Sequence, residues 1–415
     1  MPLPRTGLPV DDVLARIAEL ERNDVDWRGG RAFSLVYETD DPELQRLNEA
    51  VTAAYFPTNA LNPAAFPSLG QMQSDVVDIV ADLLHGGPDA AGFMTSGGTE
   101  SLLLAVEAAR NWGRAERGIE RPNVVLPTSA HAAFTKAGAY FGVETRRVPV
   151  RDDYRADVDA MATAIDSDTV LVVASAPQYP QGVIDPVGDV AALALARGVL
   201  CHVDACMGGM VLPFLARLEP GAVPPFDFAV EGVTSMSADL HKYGYAGKGA
   251  SVIVHRDKHL RRHQTFVTDD WLGGLYGSSG ILGTKSGAPI ASAWATLHHL
   301  GDDGYMRLTG QAREAWAQLV AGLRTTEGIA LVGEPEVTLV AFGFDDGTDA
   351  FAVGNALWQR GWFCDQQGPP PSLHCTVHAG HVGVVDEFVA ALRSCADDVR
   401  TSAATAEAAP YAATE

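Results

Sequence analysis

Helical runs alternate with short β-branched segments between residues 71 and 290, and this alternation limits the possible folds more than any other feature. The segments that we predict to be strands are Asn123–Leu126, Glu144–Val148, Val170–Ala174, Val199–Val203 and Ser251–Val254. Strands separated by helices of about 10 to 15 residues indicate βαβ units and a mostly parallel sheet covered on both faces. Ligands bind at the carboxyl ends of such strands.

The flanking regions differ from this central part. Residues 1–70 combine an amphipathic helix with a Pro- and Asn-rich stretch at 56–68 that we expect to be irregular and to wrap over another surface. The apolar face of that helix carries Val10, Val13, Leu14, Ile17 and Leu20. Residues 71–290 then form a large domain and residues 291–398 a smaller α+β domain. We expect the Ala- and Thr-rich tail, residues 399–415, to be disordered.

Charge and composition exclude several classes of function. The net charge is −22, from 52 acidic and 30 basic residues, so a nucleic-acid partner is excluded for want of a basic surface. No apolar run approaches the ~18 residues of a spanning helix and the N-terminus has no secretion signal, so we predict a cytoplasmic protein without an integral membrane segment. The five cysteines lack CxxC spacing, which predicts free thiols and neither a disulfide framework nor a zinc site.

A glycine-rich loop precedes the strongest helical run of the chain. Gly97, Gly98 and Thr99 lie within Met94–Arg110, just before its helical part. A helix N-terminus offers unpaired N–H groups and the positive end of the helix dipole, and glycine lets a phosphate reach the backbone. The loop is a candidate phosphate site, with a plain turn capped by Thr99 as the alternative.

Asp204 ends an apolar strand, and Lys242 follows His241 on a short loop between two strand-like runs. A buried carboxylate needs a cation or a donor, and a protonated pyridine nitrogen would satisfy Asp204; a metal ion or a turn cap are the alternatives. The amine of Lys242 can form a Schiff base with an aldehyde. The His-Lys pair alone does not distinguish such a lysine from an exposed one.

His131 lies between these motifs, at the start of a helix that follows a strand. Its imidazole could stack on a flat heterocycle or transfer a proton, although a lone histidine is more often structural. The order of phosphate loop, His131, Asp204 and Lys242 satisfies four requirements of one cofactor at one sheet edge. The sequence therefore predicts pyridoxal 5'-phosphate.

Several longer segments resemble the pyridoxal-phosphate-dependent group II decarboxylases, and most closely the sphingosine-1-phosphate lyase family in its bacterial form without a membrane segment. They are Met94–Ser101, Ser129–Phe134, Gln178–Pro186, His202–Cys206 and Ser237–Ala246. The resemblance covers roughly residues 30 to 395. It implies fold type I of the pyridoxal-phosphate-dependent transferases, with a mostly parallel seven-stranded sheet in the large domain.

The resemblance also implies a role for each site residue. Lys242 would carry the Schiff base, Asp204 would bind the pyridine nitrogen and His131 would cover the ring. Cofactor-phosphate contacts would come from Gly98, Thr99 and His241, with Gly283 and Thr284 approaching the phosphate of the neighbouring subunit in a homodimer with shared active sites. Tyr55, Asn62 and Lys248 would contact a small-molecule substrate; a solvated loop cation is the alternative for Lys248.

The chain departs from the animal lyase pattern at several positions, of which three matter most here. Asn62 stands where the family has histidine, Lys285 where it has arginine, and Gly247 where a proline is usual. Lysine lacks the bidentate fork with which arginine binds phosphate. The departures therefore concern the substrate and whether it carries a phosphate, and they leave the predicted cofactor residues intact.

The predicted reaction is a retro-aldol cleavage of a β-hydroxy amine into an aldehyde and an amine, in which Lys248 or His131 transfers protons. The alternative is α-decarboxylation of an amino acid on the same cofactor, since the protein selects the bond through orientation. A cofactor-bound scaffold without turnover is a third hypothesis, which the intact Lys242, Asp204 and His131 disfavour.

Overall fold

A seven-stranded sheet forms the centre of the protein, for which a computed structural model describes residues 2–409. Its strands are β1 (Ala91–Thr95), β2 (Asn123–Pro127), β3 (Glu144–Val148), β4 (Thr169–Ser175), β5 (Leu200–Asp204), β6 (Ser235–Ala238) and β7 (Ser251–His255), in the order β1-β7-β6-β5-β4-β2-β3. Only β7 runs antiparallel to its neighbours. The predicted fold class is confirmed.

Helices cover both faces of this sheet, which is why β2, β4 and β7 are buried along their whole length. The helices are α1 (Val10–Leu20), α2 (Pro42–Tyr55), α3 (Pro67–Leu83), α4 (Gly98–Arg117), α5 (Ala133–Phe141), α6 (Val158–Ala164), α7 (Val187–Arg197), α8 (Leu212–Leu218), α9 (Lys258–Arg261), α10 (Gly287–Arg324), α11 (Ala350–Gln359) and α12 (Val385–Ser402). Within residues 2–409, no helix is both long and apolar enough to cross a membrane.

Two smaller sheets complete the fold. The strands β8 (Phe266–Thr268) and β9 (Tyr276–Ser278) form a two-stranded hairpin. An antiparallel sheet of order β10-β11-β13-β12 is formed by the C-terminal part of the chain. The strands of the latter are β10 (Ile329–Leu331), β11 (Leu339–Phe344), β12 (Asp365–Gln367) and β13 (Ser372–Thr376).

The small C-terminal sheet has its own hydrophobic core, which Phe33 from the N-terminal segment joins. Phe33 packs against Phe388 with ring centroids 4.3 Å apart. α10 serves both cores, because Leu308 belongs to the large one and Ala315 to the small one. The division of packing therefore falls inside α10, some residues beyond the boundary at 290 that the sequence suggested.

The C-terminal tail begins later than predicted. α12 continues to Ser402, because Val399 is buried in the small core and Thr401 and Ser402 donate hydrogen bonds to carbonyls one turn earlier. Residues 404–409 have no regular secondary structure, and residues 410–415 of the predicted tail lie outside the described residues.

Candidate active site

The carboxyl ends of the parallel strands meet around one cavity of about 390 Å³. Its wall contains most of the predicted cofactor residues, which are Gly98, Thr99, His131, Asp204, His241 and Lys242. Lys248, which we predicted to contact the substrate, also lines it. β1, β5 and β6 each end at this edge; β5 ends with Asp204, and the loops after β1 and β6 carry the glycines and the lysines. Residues up to 150 positions apart are thereby brought together.

The glycine-rich loop leads directly into α4, which begins at Gly98. Gly97 has φ 155°, a conformation that favours glycine, and a Cβ on Gly98 would lie 2.8 Å from Asp239 Oδ2 and 2.9 Å from Cys206 Sγ. Glu100 fixes the loop, because its Oε2 accepts a hydrogen bond of 2.6 Å from the N–H of Ser96. The N-terminus of α4 therefore faces the cavity. Glycine in this loop leaves room for an anion, whereas a larger residue at position 98 would not fit.

Asp204 is held at the end of β5 by two hydrogen-bond donors that contact one of its oxygens. Its Oδ1 accepts hydrogen bonds from the N–H of Cys206 at 3.1 Å and from Ser237 Oγ at 3.4 Å. The side of Asp204 that lines the cavity faces His131 across it. Burial lowers the pKa of His131, so its imidazole is neutral, and His131 Nδ1 accepts a hydrogen bond from the N–H of Ala133 at the start of α5.

Asp239 is a site residue that the sequence analysis missed. Its carboxylate is 1% exposed and lies 3.0 Å from Lys242 Nζ and 3.6 Å from His241 Nε2. Burial is the largest single influence and would lower the pKa of Lys242, but the charge of Asp239, its hydrogen bond to the amine and the nearby Tyr37 and Cys206 together raise that pKa. The signal was present, because an acid three residues before the lysine in a buried strand end requires a cationic partner.

Lys248 lies at the junction of two cavities. It lines the first cavity and a second one of about 650 Å³ that extends along α2. Its Nζ donates to the carbonyl of His241 at 2.9 Å and lies 4.8 Å from the ring centroid of Tyr37. Burial, followed by repulsion from Lys242, lowers the pKa of Lys248 to about 8.

Gly247, which precedes Lys248, donates a hydrogen bond that proline could not donate. The N–H of Gly247 donates to Ser292 Oγ at 2.7 Å, and Ser292 Oγ in turn donates to Asn48 Oδ1 at 2.6 Å. Proline has no N–H to donate. The departure from the family pattern at position 247 thus ties the Lys248 loop to α10 and α2.

Four predicted residues do not line the cavity of their own chain. Asn62 is exposed and its Oδ1 accepts from the N–H of Ala64 at 2.9 Å, and Tyr55 packs against the large core at the end of α2. Gly283 and Thr284 are exposed. The neighbouring Lys285 turns inwards, where its Nζ donates to the carbonyl of Met94.

Comparison with known proteins assigns the family. A profile of the pyridoxal-dependent decarboxylase conserved domain matches residues 45–345. The sphingosine-1-phosphate lyase of Arabidopsis thaliana is 39% identical over 408 residues, which are 96% of this chain and 74% of that protein. The chain belongs to this lyase family. The sphingosine-1-phosphate lyase 1 of Rattus norvegicus is 40% identical, and the aligned 379 residues are 91% of this chain but only 66% of the rat protein.

Solved structures agree with this assignment. The sphingosine-1-phosphate lyase of Burkholderia pseudomallei superposes with a TM-score of 0.90 at 36% identity, covering 97% of this chain and 94% of that one. A glutamate decarboxylase from Lactobacillus brevis superposes with a TM-score of 0.85 at 20% identity over 96% of this chain and 94% of its own, which shows a shared fold. The protein is a pyridoxal-phosphate-dependent lyase of fold type I.

The residues present fit pyridoxal phosphate. His241 Nδ1 is buried and has no hydrogen-bond partner among the described residues, and it faces the Gly97 loop, where a Cβ would lie 3.6 Å from His241 Cε1. A phosphate between them would be bound by the imidazole and by the α4 N-terminus. Asp204 and Lys242 line the same cavity, where a carboxylate could receive the pyridine nitrogen and an amine could reach the aldehyde.

We predict that Lys242→Ala removes the covalent attachment of the cofactor. The wild-type protein should be yellow when supplied with pyridoxal phosphate, and borohydride should fix the cofactor on Lys242 itself, whose amine lies in the cavity wall and can reach the aldehyde. Mass spectrometry of the digested protein measures this. Lys136→Ala, at an exposed position of α5, is the control and should remain labelled; a labelled Lys242→Ala protein would contradict the assignment.

Proposed function

We propose that the protein cleaves the Cα–Cβ bond of a phosphorylated β-hydroxy amine, of the class for which its relatives are named, into an aldehyde and an amine. The observation that carries this proposal is the position of Lys248 between the two cavities. The amine end of the substrate would lie beside Lys242, and the remainder would pass Lys248 into the second cavity. An amino acid would need the first cavity only.

The roles of the site residues follow from their contacts. When bound, pyridoxal phosphate would supply the sink for the electron pair of the bond that breaks at Cα. Asp204 would keep the proton on the ring nitrogen, neutral His131 would cover the ring, and Gly98, Thr99 and His241 would hold the phosphate. Asp239, next to Lys242 and His241, keeps their side chains directed at the cofactor.

Lys248 serves as the base for the β-hydroxyl group. A pKa of about 8 gives a substantial neutral fraction near neutral pH, which a base requires. The hydroxyl proton passes to Nζ, the Cα–Cβ bond breaks as the aldehyde C=O forms, and Cα afterwards takes up a proton. Tyr37, whose ring lies below Nζ, keeps the amine at the boundary between the cavities.

The active sites are shared within a homodimer. α1 has no buried residue, and Phe266, Val267, Trp271 and Leu272 around the β8–β9 hairpin are exposed, so two apolar surfaces lack cover in a single chain. Gly283 and Thr284, outside their own cavity, would reach the phosphate site of the partner. Tyr55 and Asn62 would contact substrate in the same way.

The five buried free thiols fit a reducing compartment, the cytoplasm.

We predict that the purified protein releases an aldehyde from phosphorylated β-hydroxy amines and no carbon dioxide from amino acids. Both products should be assayed with the same preparation, across phosphorylated and unphosphorylated long-chain amino alcohols and the common amino acids. Aldehyde only from phosphorylated substrates supports the proposal in full. Carbon dioxide from an amino acid, with no aldehyde from any β-hydroxy amine, would establish the decarboxylase alternative instead.

We predict that kcat rises with pH through a pKa near 8 and that Lys248→Arg abolishes this limb. Below that pH Nζ carries a proton and accepts none; above it the amine is neutral and acts as a base. Arginine keeps the positive charge but stays protonated. Lys285→Arg is a matched control, since burial lowers the pKa of Lys285 to about 8 as well. A pH limb that survives Lys248→Arg would assign the base to another group.

We predict that two inactive variants restore activity when their chains are mixed. Lys242→Ala removes the amine, and Thr284→Glu places a negative charge where the partner's phosphate would lie. A heterodimer contains one site with neither change, so random mixing should recover about a quarter of wild-type activity. Activity is measured after the chains are refolded together. Recovery that stays at the level of the separate variants would show that each chain builds its site alone.

A further inference from the structure

Three side chains able to bind a metal ion lie together at the far end of α4. Glu116 is near the C-terminus of that helix, about 27 Å along its axis from the phosphate loop, while His259 lies on α9 and His263 in the turn that follows. One oxygen of Glu116, Oε1, is 3.4 Å from His259 Nε2 and 3.3 Å from His263 Nε2. The three ligand atoms all lie within 4.8 Å of one another.

These separations match the geometry of a tetrahedral metal site. Zinc binds histidine nitrogen and carboxylate oxygen at about 2.0–2.2 Å, which places neighbouring ligands of a tetrahedron about 3.3–3.6 Å apart. The two histidines are four residues apart on one turn, so their rings point to the same side. We propose that Glu116, His259 and His263 bind a Zn²⁺ ion, with water as the fourth ligand.

Arg262 contacts the same carboxylate oxygen of Glu116 that the ion would bind. Its Nη2 lies 2.6 Å from the same Glu116 Oε1, and its Nε lies 3.5 Å from His263 Nε2. The side chain of Arg262 is 58% exposed, so it can turn into solvent when a divalent cation takes over the carboxylate. The guanidinium and the metal ion therefore compete for one position.

The ion would stabilise the base of the segment that leads to Gly283 and Thr284. Arg261 Nη2 donates to Ser279 Oγ at 3.1 Å, and Gln264 Nε2 donates to the carbonyl of Ser279. The turn that contains His263 is thus bonded to the start of that segment. A metal ion bound by this turn and by Glu116 of α4 would attach the turn to that helix as well. The prediction of no zinc site rested on the cysteine spacing and did not consider histidine and glutamate ligands.

The test is a titration of the full-length, cofactor-loaded protein with Zn²⁺ alone after chelator treatment, followed by calorimetry. We expect one ion per chain at this site and a loss of affinity of at least about tenfold in the double variant His259→Ala/His263→Ala. His299→Ala, an exposed histidine of α10, is the control and should bind as the wild type does. Arg262→Ala should bind more tightly, because the competing cation is gone.

Glu116→Gln provides a second, milder variant, because it keeps the shape of the side chain and removes its charge. Co²⁺ should give the wild-type protein the strong visible absorption of a tetrahedral site, and Glu116→Gln should weaken it. Circular dichroism and the cofactor colour check that each variant is folded. Equal Zn²⁺ binding by the wild type and the double variant, or none by either, would overturn the proposal and leave an ion-pair cluster around Glu116.

Discussion

The ion pair between Asp239 and Lys242 is the interaction around which the active site is arranged. A lysine in this position would lose its proton to burial, and a carboxylate would gain one, if either stood alone. Together they remain charged inside the protein, and the pair holds the amine at the cavity wall. The same carboxylate lies against Gly98, which explains why this loop position admits no side chain.

Around this pair, the parallel sheet determines where chemistry is possible. Strands β5 and β6 run side by side, with Asp204 paired in register with Ser237, so Asp204 and the loop that carries Lys242 end at the same edge. The antiparallel β7 returns the chain beside β6 and closes the loop between them. A single strand slipped by one residue would turn Asp204 away from the cavity, because successive side chains face opposite sides.

Much of this arrangement was predictable from the sequence, for identifiable reasons. Long motifs placed the phosphate loop, His131, Asp204 and Lys242, and the strands that precede His131 and Asp204 were also visible as β-branched runs. β1 and β6 were not named as strands, since short segments such as Ala91–Thr95 carry little periodic signal.

What escaped prediction depends on contacts between distant segments. Asp239 was overlooked because its partner is defined only in three dimensions. The proposed metal ligands join α4 to a turn more than 140 residues later. The boundary between the cores falls inside α10, beyond its break at Gly301, where no change of composition marks it.

Glu100 connects two segments that lie far apart in the sequence, namely the phosphate loop and the segment that leads to Gly283. One of its oxygens accepts the N–H of Ser96 in the phosphate loop, and the other accepts the N–H of Ile281 at 2.8 Å, two residues before Gly283. The phosphate loop and the segment that leads to Gly283 are therefore fastened to the same carboxylate. In the proposed homodimer, a rearrangement of one would displace the other, and the occupancy of one site would be felt at the other.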